Sequence, residues 1–275
     1  MGGVYNCELH TFFMHLKLFY EKSVHQNAAH YYGLAKASRE KAAGLEKAIA
    51  ETSKELEKAE KEKQGGKKAR VKRDREWYEQ FHFSFTSGGR LMIGGRSAKQ
   101  NDVLFAKHMD DPDLFFHADI QGASAVILKG GAGAGKDELL EAAQFAASFS
   151  KAWVNGNASV DVYAVKKSQL SKHATGGFIP SGAFAISGER EWSRSTRLAL
   201  CIGLGEKGIA LVTELTARNA NPGTSKLRNQ LVLLPSRAGK EKGTLARSLA
   251  KRYGVHQDDI LALLPNGKTK VLEKT

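Results

Sequence analysis

The stretch 81-FHFSFTSGGRLMIGGRSAKQNDVLFAKHM-109 decides the fold class, because its hydrophobic period changes within a short segment. FHFSFT (81–86) alternates apolar and polar residues, meets the turn signal Ser87-Gly88-Gly89 and continues into RLMIG (90–94), which predicts a β-hairpin. Residues 97–109 then show helical periodicity, and Ser97 is placed to cap that helix. A hairpin followed by a helix predicts a domain of the α/β (α+β) class.

The same mixture of strands and helices continues to the end of the chain. Further strands are predicted at LFFHADI (114–120), ASAVILK (123–129), SVDVYAV (159–165), AFAIS (183–187), LALCIG (198–203), IALVTEL (209–215) and QLVLLP (230–235). Helices are predicted at DELLEAAQFAASFSKAW (137–153), whose acidic first turn suits the helix dipole, and at GTLARSLAKRYGV (243–255) and QDDILALL (257–264). We expect a mixed sheet with flanking helices over 77–275, with its core at 77–192 and a C-terminal extension at 193–275.

A long helical arm precedes this domain. Its seam residues recur at spacings of four and three, which is an a/d heptad pattern: Val24, Ala28, Tyr31, Ala35, Ser38, Ala42, Leu45, Ile49, Thr52, Leu56 and Ala59. Many of them are small, so an isolated helix would be marginal and needs a partner. The pattern predicts a coiled-coil arm over 1–63 that pairs with its own N-terminal segment, a second copy or another chain.

A basic linker joins the arm to the domain. Gln64-Gly65-Gly66 ends the predicted helix, and KKARVKRDR follows within the segment 64–76. Such a run is either a solvated linker or a phosphate contact, and its place between an arm and a folded domain makes Lys67, Lys68, Arg70, Lys72 and Arg73 candidate RNA ligands.

Composition narrows the class of partner. The net charge of +13 favours a polyanion, because each neutralised phosphate releases counterions, although a protein can also simply be basic. The two cysteines lie far apart with no paired metal spacing, which predicts a reducing compartment, no disulfide framework and no metal site. No apolar run reaches the ~18 residues of a membrane span, and residues 1–22 lack the pattern of a secretory signal. We therefore expect a cytoplasmic protein without a membrane partner.

One motif imitates a nucleotide site. Gly130 to Lys136 spells G-x-x-x-x-G-K between a strand and a helix, which is the context of a phosphate-binding P-loop. However, Asp137 stands where that loop needs Ser or Thr for magnesium. The alternative is a Gly/Ala loop with Asp137 as a cap near the helix start. We expect no cofactor and no catalytic residue.

Two polar groups in the domain are candidates for binding. Gly94 and Gly95 at a strand end allow a tight turn or a close ligand, and Arg96 leads into a helix start that could seat a phosphate near Asn101. Alternatively, Arg96 pairs with a carboxylate such as Asp119. His117 and Asp119 lie two apart on a strand and share a face, so they form either a small polar site or a structural pair.

Several stretches resemble one protein family. EWYEQFHFSFTSGGRLMIGGRSAKQND (76–102), DLFFHADIQGASAVILKG (113–130), AAQFAASFSKAW (142–153), Gln169-Leu170-Ser171-Lys172 and SGAFAISGERE (181–191) are similar to the NFACT-R domain of the RqcH-like members of the NFACT family. SVHQNAAHYYGLAKASREKAAGLEKAI (23–49) resembles the coiled coil before that domain. The resemblance spans about Ser23 to Lys270.

The resemblance implies a function. Family members bind the obstructed large ribosomal subunit and recruit charged tRNA for untemplated tailing of the stalled peptide, while the ribosome forms the bonds. Residues 1–22 offer no counterpart of the family's NFACT-N domain or helix-hairpin-helix region, so we do not expect tailing by this chain alone. We predict an RNA- and large-subunit-binding component of ribosome-associated quality control that contacts rRNA or tRNA, with Lys166, Lys167 and Lys172 as further contacts. The alternatives are a coiled-coil adaptor that pairs with a separate NFACT-N-type chain and, more remotely, a P-loop-like nucleotide-binding enzyme.

Overall fold

A computed structural model describes residues 18–19, 21–64, 76–173, 179–220 and 227–273, with the backbone alone for 56–64. The chain divides into two units, Met1–Arg70 and Val71–Thr275. The basic linker residues proposed as RNA ligands, Lys67, Lys68, Arg70, Lys72 and Arg73, lie outside the described residues. No helix in the described ranges combines the length and the apolar character needed to cross a membrane.

The predicted arm helix is confirmed in the first unit as α1 (Val24–Gln64). It begins with a capping box, in which the Ser23 N–H donates to Gln26 Oε1 at 2.9 Å and the Gln26 N–H donates to Ser23 Oγ at 3.3 Å. This pair satisfies two of the N–H groups that a helix start leaves without partners. Large apolar side chains of the heptad seam face solvent, with Val24, Leu45 and Ile49 exposed by 83%, 65% and 64%.

The second unit is built from antiparallel strands. In chain order the described strands are β1 (His82–Phe85), β2 (Leu91–Gly94), β3 (Leu114–Ala118), β4 (Val126–Leu128), β5 (Ser159–Lys166), β6 (Leu170–Ser171), β7 (Ala185–Ile186), β8 (Glu191–Arg197), β9 (Leu200–Gly205), β10 (Gly208–Thr213), β11 (Arg228–Lys240) and β12 (Thr269–Glu273). A six-stranded sheet has the order β1-β2-β4-β3-β5-β8, and a four-stranded sheet has the order β10-β9-β11-β12. The strands β6 and β7 pair separately.

Six helices flank these sheets: α2 (Ala98–His108), α3 (Lys136–Ser148), α4 (Lys151–Asn155), α5 (Glu214–Asn219), α6 (Lys242–Tyr253) and α7 (Gln257–Leu263) in the described part of the unit. Together with α1 and the sheets they confirm the predicted α+β class.

Alternation along the strands separates two cores. Phe116 of β3 faces a large core that contains Phe145 of α3 and Ile202 of the four-stranded sheet. Its neighbour Phe115 faces the opposite side, where Leu104 of α2 completes a smaller core. Because successive strand residues point to opposite faces, α2 and α3 cover opposite sides of the six-stranded sheet. The face under α2 is the one that carries the site described below.

A buried carboxylate ties α3 to the first hairpin and to α5. Glu141 is fully buried and accepts the Ser87 N–H and Oγ–H, each at 2.7 Å, and the Thr216 Oγ1–H at 3.0 Å. Asn219 Nδ2 donates to it as well, at 2.9 Å. A buried charge is tolerated only with such partners, so this network fixes the hairpin against the helix layer.

Two sequence predictions about α3 were wrong in detail. The helix predicted over 137–153 is two helices, because Ser150 caps α4 by accepting the Ala152 N–H at 3.1 Å. The cap of α3 is Gly135, whose N–H donates to Glu138 Oε2 at 3.2 Å, and not Asp137.

Strand ends also differ from the predictions. The strand predicted at 209–215 ends at Thr213, because Thr213 Oγ1 accepts the Thr216 N–H at 3.0 Å and starts α5. The strand predicted at 230–235 extends to Lys240 through an irregular register after Pro235.

Candidate nucleic-acid interface

A cavity of about 550 Å³ lies on the α2 face of the six-stranded sheet. Its walls are the start of α2, the end of β3, the loop before β4 and residues 180–186. Side chains that line it are Arg96, Asn101, Phe115, His117, Tyr163 and Phe184. We call it the α2 cavity. Its volume falls in the range of roughly 300–1,000 Å³ found for pockets that hold small ligands.

The α2 cavity brings together residues that the sequence placed in two separate groups. Gly95, Arg96 and Asn101 come from the strand–helix junction after β2, and His117 comes from β3. The fold therefore brings four of the candidate RNA-binding residues together at this cavity.

The guanidinium of Arg96 joins the cavity wall to α7. Its Nη2 donates to the Phe81 carbonyl at 2.8 Å and to the Ala262 carbonyl at 3.0 Å. From the sequence, Arg96 was predicted to contact a phosphate or to pair with a carboxylate such as Asp119, and these two bonds to backbone carbonyls were not predicted. Arg96 therefore has a structural role in holding the wall.

Gly95 is needed because the chain has no room for a side chain there. A Cβ on Gly95 would lie 2.1 Å from Asn101 Oδ1, the atom that accepts the Ala125 N–H at 3.2 Å. The Gly95 carbonyl also accepts the Ser124 Oγ–H at 2.7 Å. The predicted close approach at the second glycine is thus an approach of protein to protein that shapes the wall.

Asp102 clamps the opposite wall onto α2. It accepts hydrogen bonds from Lys172 Nζ, from Ser181 Oγ at 2.7 Å and from the Gly182 N–H at 3.0 Å. Burial acts to raise the pKa of Asp102, but these donors outweigh it and hold that pKa below its usual value. Lys172 also donates to the Ala183 carbonyl at 2.7 Å. The candidate ligand Lys172 is therefore committed to the wall.

His117 forms part of the cavity floor. Burial lowers the pKa of His117 below 6.5 and outweighs nearby Asp119, which acts in the opposite direction. Its ring centroid lies 5.7 Å from that of Tyr163. Asp119 itself is exposed. His117 Nδ1 is buried and has no hydrogen-bond partner in the described part of the chain.

A row of aromatic and arginine side chains continues from the cavity across the sheet. His117 pairs in register with Tyr163, and Tyr163 pairs with Trp192 of the edge strand β8. The guanidinium of Arg190 lies 4.7 Å from the Tyr163 ring centroid, and that of Arg194 lies 3.9 Å from the Trp192 centroid. We call Tyr163, Arg190, Trp192 and Arg194 the arginine–aromatic strip. Tyr163 belongs to both the strip and the cavity lining.

The remaining candidate residues lie elsewhere. Gly94 is in β2 and faces the α3 side, where an added Cβ would be 3.5 Å from Phe145 Cε1. Lys166 is exposed at the end of β5, and Lys167 Nζ lies 4.0 Å from Asp111 Oδ1. None of these three residues lines the α2 cavity.

Sequence reasoning missed the strip and the clamp. Trp192 and Arg194 lie in EWSRSTR (191–197), which is polar and was not predicted as a strand. Their spacing of two residues was the available signal, because alternate strand residues share a face. The Asp102–Ser181 contact joins residues 79 apart and left no signal in the sequence.

The Gly/Ala loop before α3 is closed on itself. Arg90 donates to the Gly130 carbonyl at 3.3 Å, the Gly133 carbonyl at 2.8 Å and the Glu138 carboxylate at 2.7 Å. Backbone N–H groups of the loop, which a P-loop would aim at phosphate, are bonded within the protein: those of Gly130, Ala132, Gly133, Ala134 and Gly135.

An antiparallel α+β domain that joins a lined cavity to exposed arginines and aromatics has the features of a nucleic-acid-binding module. Residues 80–188 match the model of the NFACT protein RNA binding domain. These residues include the cavity lining and Tyr163. The chain is an NFACT-family, RqcH-like protein.

Similar proteins extend the comparison. The chain is 36% identical over 213 residues to the archaeal Rqc2 homolog aRqcH of Methanocaldococcus jannaschii, covering 75% of this chain and 31% of that protein. It is 32% identical over 188 residues to the ribosome quality control complex subunit NEMF homolog of Drosophila melanogaster, covering 65% of this chain and 18% of that protein. The chain thus spans about a third or less of these relatives.

One solved structure is also similar. The C-terminal part of the fibronectin/fibrinogen-binding protein from Streptococcus suis aligns with a TM-score of 0.37 and 24% identity, over 47% of this chain and 49% of that one. This likeness is too low to carry an argument.

Proposed function

We propose that this chain binds RNA on the large ribosomal subunit in the cytoplasm and takes part in ribosome-associated quality control. The match of residues 80–188 to an RNA-binding domain carries the proposal. The similar archaeal and fly proteins are an Rqc2 homolog and a ribosome quality control complex subunit, and they suggest the cellular process.

The charge of the chain supports a polyanionic partner. Its net charge is +13, and each phosphate contact adds affinity that is lost as salt rises. Lys166 is exposed at the end of β5, and Lys167 beside it makes only a long ion pair to Asp111, so both can reach a phosphate. The basic linker residues would add to the same salt-dependent binding: Lys67, Lys68, Arg70, Lys72 and Arg73.

We further propose that the chain docks and does not catalyse. Its G-x-x-x-x-G-K loop offers carbonyls to Arg90 and uses the N–H groups named above for internal bonds, so a nucleotide would have to displace them. In a docking role, bond formation is left to the ribosome.

The test is co-sedimentation of the full chain with purified large subunits, and with tRNA and rRNA fragments in parallel, over a series of salt concentrations. We expect binding at low salt whose logarithm falls linearly with the logarithm of the salt concentration. The double variant Lys166→Glu and Lys167→Glu should bind more weakly with a shallower slope. Lys207→Glu is the matched control, because Lys207 is exposed in the β9–β10 turn. No binding at low salt, or a flat salt response, would overturn the proposal.

A second candidate function is that of a coiled-coil adaptor for a separately encoded chain. The observation that favours it is the exposed apolar seam of α1 at Val24, Leu45 and Ile49. A helix with such a seam gains stability when a partner covers it. Analytical ultracentrifugation and circular dichroism test it. A stable monomer with full helical content argues against obligate pairing, and a dimer that Leu45→Lys dissociates assigns the seam to a second copy. A monomer with low helical content supports a separate partner chain.

A further inference from the structure

The arginine–aromatic strip presents charge and ring surface together, and it meets the α2 cavity at Tyr163. Trp192 is 36% exposed on the edge strand β8, and its ring lies 5.4 Å from that of the buried Tyr163 at an angle of 68°. Tyr163 lines the cavity, so the strip runs from the cavity floor to solvent. The paired strands β5 and β8 position Tyr163, Trp192 and Arg194, and Arg190 directly precedes β8.

The two arginines of the strip are held differently. Arg194 Nη1 donates to Asp161 Oδ2 at 2.7 Å, and Asp161 also accepts the Ser195 N–H at 2.7 Å. This ion pair fixes the Arg194 guanidinium over Trp192 while its other N–H groups remain available. Arg190 is exposed, lies over the Tyr163 ring and forms no ion pair within the described ranges.

This chemistry matches an RNA strand whose bases are not paired. Bases released from a helix stack on aromatic rings and on arginine planes, whereas the base faces in an A-form duplex are covered by their neighbours. The cavity, at about 550 Å³, is large enough for one base with its sugar. Arginine donates to phosphate oxygens in pairs, which suits the links on either side of such a base.

We infer that the α2 cavity and the arginine–aromatic strip bind an unpaired nucleotide of an RNA strand. The base enters the cavity against Tyr163 and His117, the next base stacks on Trp192, and Arg190 and Arg194 contact the flanking phosphates. This inference rests on the proposed function and adds to it the form of RNA and the residues that hold it.

Binding of short oligo(A) and oligo(U), single-stranded and fluorescently labelled, to the full chain tests the inference, with a blunt RNA duplex of equal length alongside. We expect the single strands to bind more tightly than the duplex. Trp192→Ala should weaken single-strand binding by about 5- to 150-fold, the range expected for one lost stacking contact. Trp192→Phe should restore most of it. Arg190→Ala should lower the salt slope by about 0.7.

Matched variants control for general damage. Trp77 is 45% exposed and stacks on His108 outside the cavity, so Trp77→Ala should leave binding of the single strands unchanged. Arg252 pairs with Glu273 at 2.7 Å on the surface, as Arg194 does with Asp161, and Arg252→Ala should likewise have no effect. Thermal melting identifies any variant that fails to fold, and Arg190→Ala, which lies outside the strands, keeps the test open in that case.

Tryptophan fluorescence reports stacking directly. The chain has three tryptophans, so the Trp77→Phe variant keeps Trp192 and the buried Trp153. Oligomer binding should quench this emission, and the quenching should disappear in the Trp77→Phe, Trp192→Phe double variant. Quenching that persists without Trp192 would overturn the inference.

The remaining outcomes also decide the matter. If Trp192→Ala and Arg190→Ala bind single strands like the parent while large-subunit binding is intact, the inference fails and the proposed function stands. If the parent binds neither subunits nor RNA at low salt, the proposed function fails. Displacement of the oligomers by AMP or UMP at equal nucleotide concentration would assign the site to free nucleotides and overturn binding of a strand. Preference for a peptide ligand over every RNA probe would overturn it too.

Discussion

Acidification should destabilise the fold through one histidine behind the cavity wall. His82 of β1 is buried, and its ring stacks on Phe149 with centroids 4.2 Å apart. Burial, and next the charges of Arg96 and Lys242, lower the pKa of His82 from 6.5 to about 3. The unfolded chain therefore binds a proton at this residue between these two pH values while the folded chain does not. Stability is complete above about pH 6.5 and is lost as the pH falls.

The size of the effect follows from the two pKa values. With 6.5 for the unfolded chain and about 3 for the folded chain, linkage gives a loss of about 2 kcal/mol in the free energy of unfolding between pH 7 and pH 5. Burial also lowers the pKa values of His108 and His117, so the free energy of unfolding of the parent falls somewhat more than His82 alone accounts for. Above pH 5 the carboxylates with lowered pKa values, Asp102 and Glu138, stay ionised and contribute little.

Urea denaturation at constant ionic strength, followed by tryptophan fluorescence at pH 7, 6 and 5, measures the loss. His82→Phe keeps a ring against Phe149 and removes the titrating group, so its free energy of unfolding should fall by about 2 kcal/mol less than that of the parent over this range. His173→Gln removes an exposed histidine and should keep the parent's pH dependence. Equal pH dependence in His82→Phe and the parent would refute the reasoning.

Three further predictions concern the walls of the site and the Gly/Ala loop before α3. Gly182 has a φ of +80°, and an added Cβ would lie 2.6 Å from Ala98 Cα. Gly89 has a similar φ of +84°, but nothing lies within 4 Å of an added Cβ there. Gly182→Ala should therefore lower the free energy of unfolding more than Gly89→Ala, by above about 1 kcal/mol in urea denaturation. Asp102→Asn should destabilise the fold by about 1–3 kcal/mol and weaken RNA binding, while Asp111→Asn, at a side chain exposed by 97%, should do neither. Lys136→Ala should leave RNA binding unchanged, and isothermal titration of the parent with ATP should show no heat of binding.

Local patterns predicted the elements that depend on local chemistry. The first hairpin and α2 follow from a change of hydrophobic period, and the predicted Ser97 cap is confirmed, with Ser97 Oγ accepting the Gln100 N–H at 3.3 Å. The prediction failed where a local preference competes with packing. The pattern of residues 137–153 predicted one helix, yet the chain breaks at Ser150, which caps a second helix, and Trp153 of that helix donates its Nε1–H to Thr269 Oγ1 at 3.0 Å.

The site was predictable only in part, for a physical reason. Glycines and polar residues at a strand end indicate that something approaches closely, and Gly95, Arg96 and Asn101 do lie at the cavity. The same signal does not say whether the approaching group is a ligand or another part of the protein. At Gly95 and Arg96 it is the protein, since Asn101 Oδ1 and two backbone carbonyls occupy the space and the donors.

A positive charge in the sequence does not by itself identify an RNA-binding residue either. A basic residue can serve an RNA strand only if some of its N–H donors are left free. Asp102 and the Ala183 carbonyl engage the Lys172 ammonium group, whereas the Arg194 ion pair with Asp161 engages only Nη1 of a guanidinium that has five donors. Arg190 and Arg194 carry less obvious sequence signals, yet they lie over aromatic rings that hold them at the surface. The net charge of +13 thus favours a polyanion for the whole chain, while the choice of residues depends on which N–H donors of the basic side chains the fold leaves free. By that criterion the edge strand β8 is a better place for an RNA strand than the glycine turn that first suggested one.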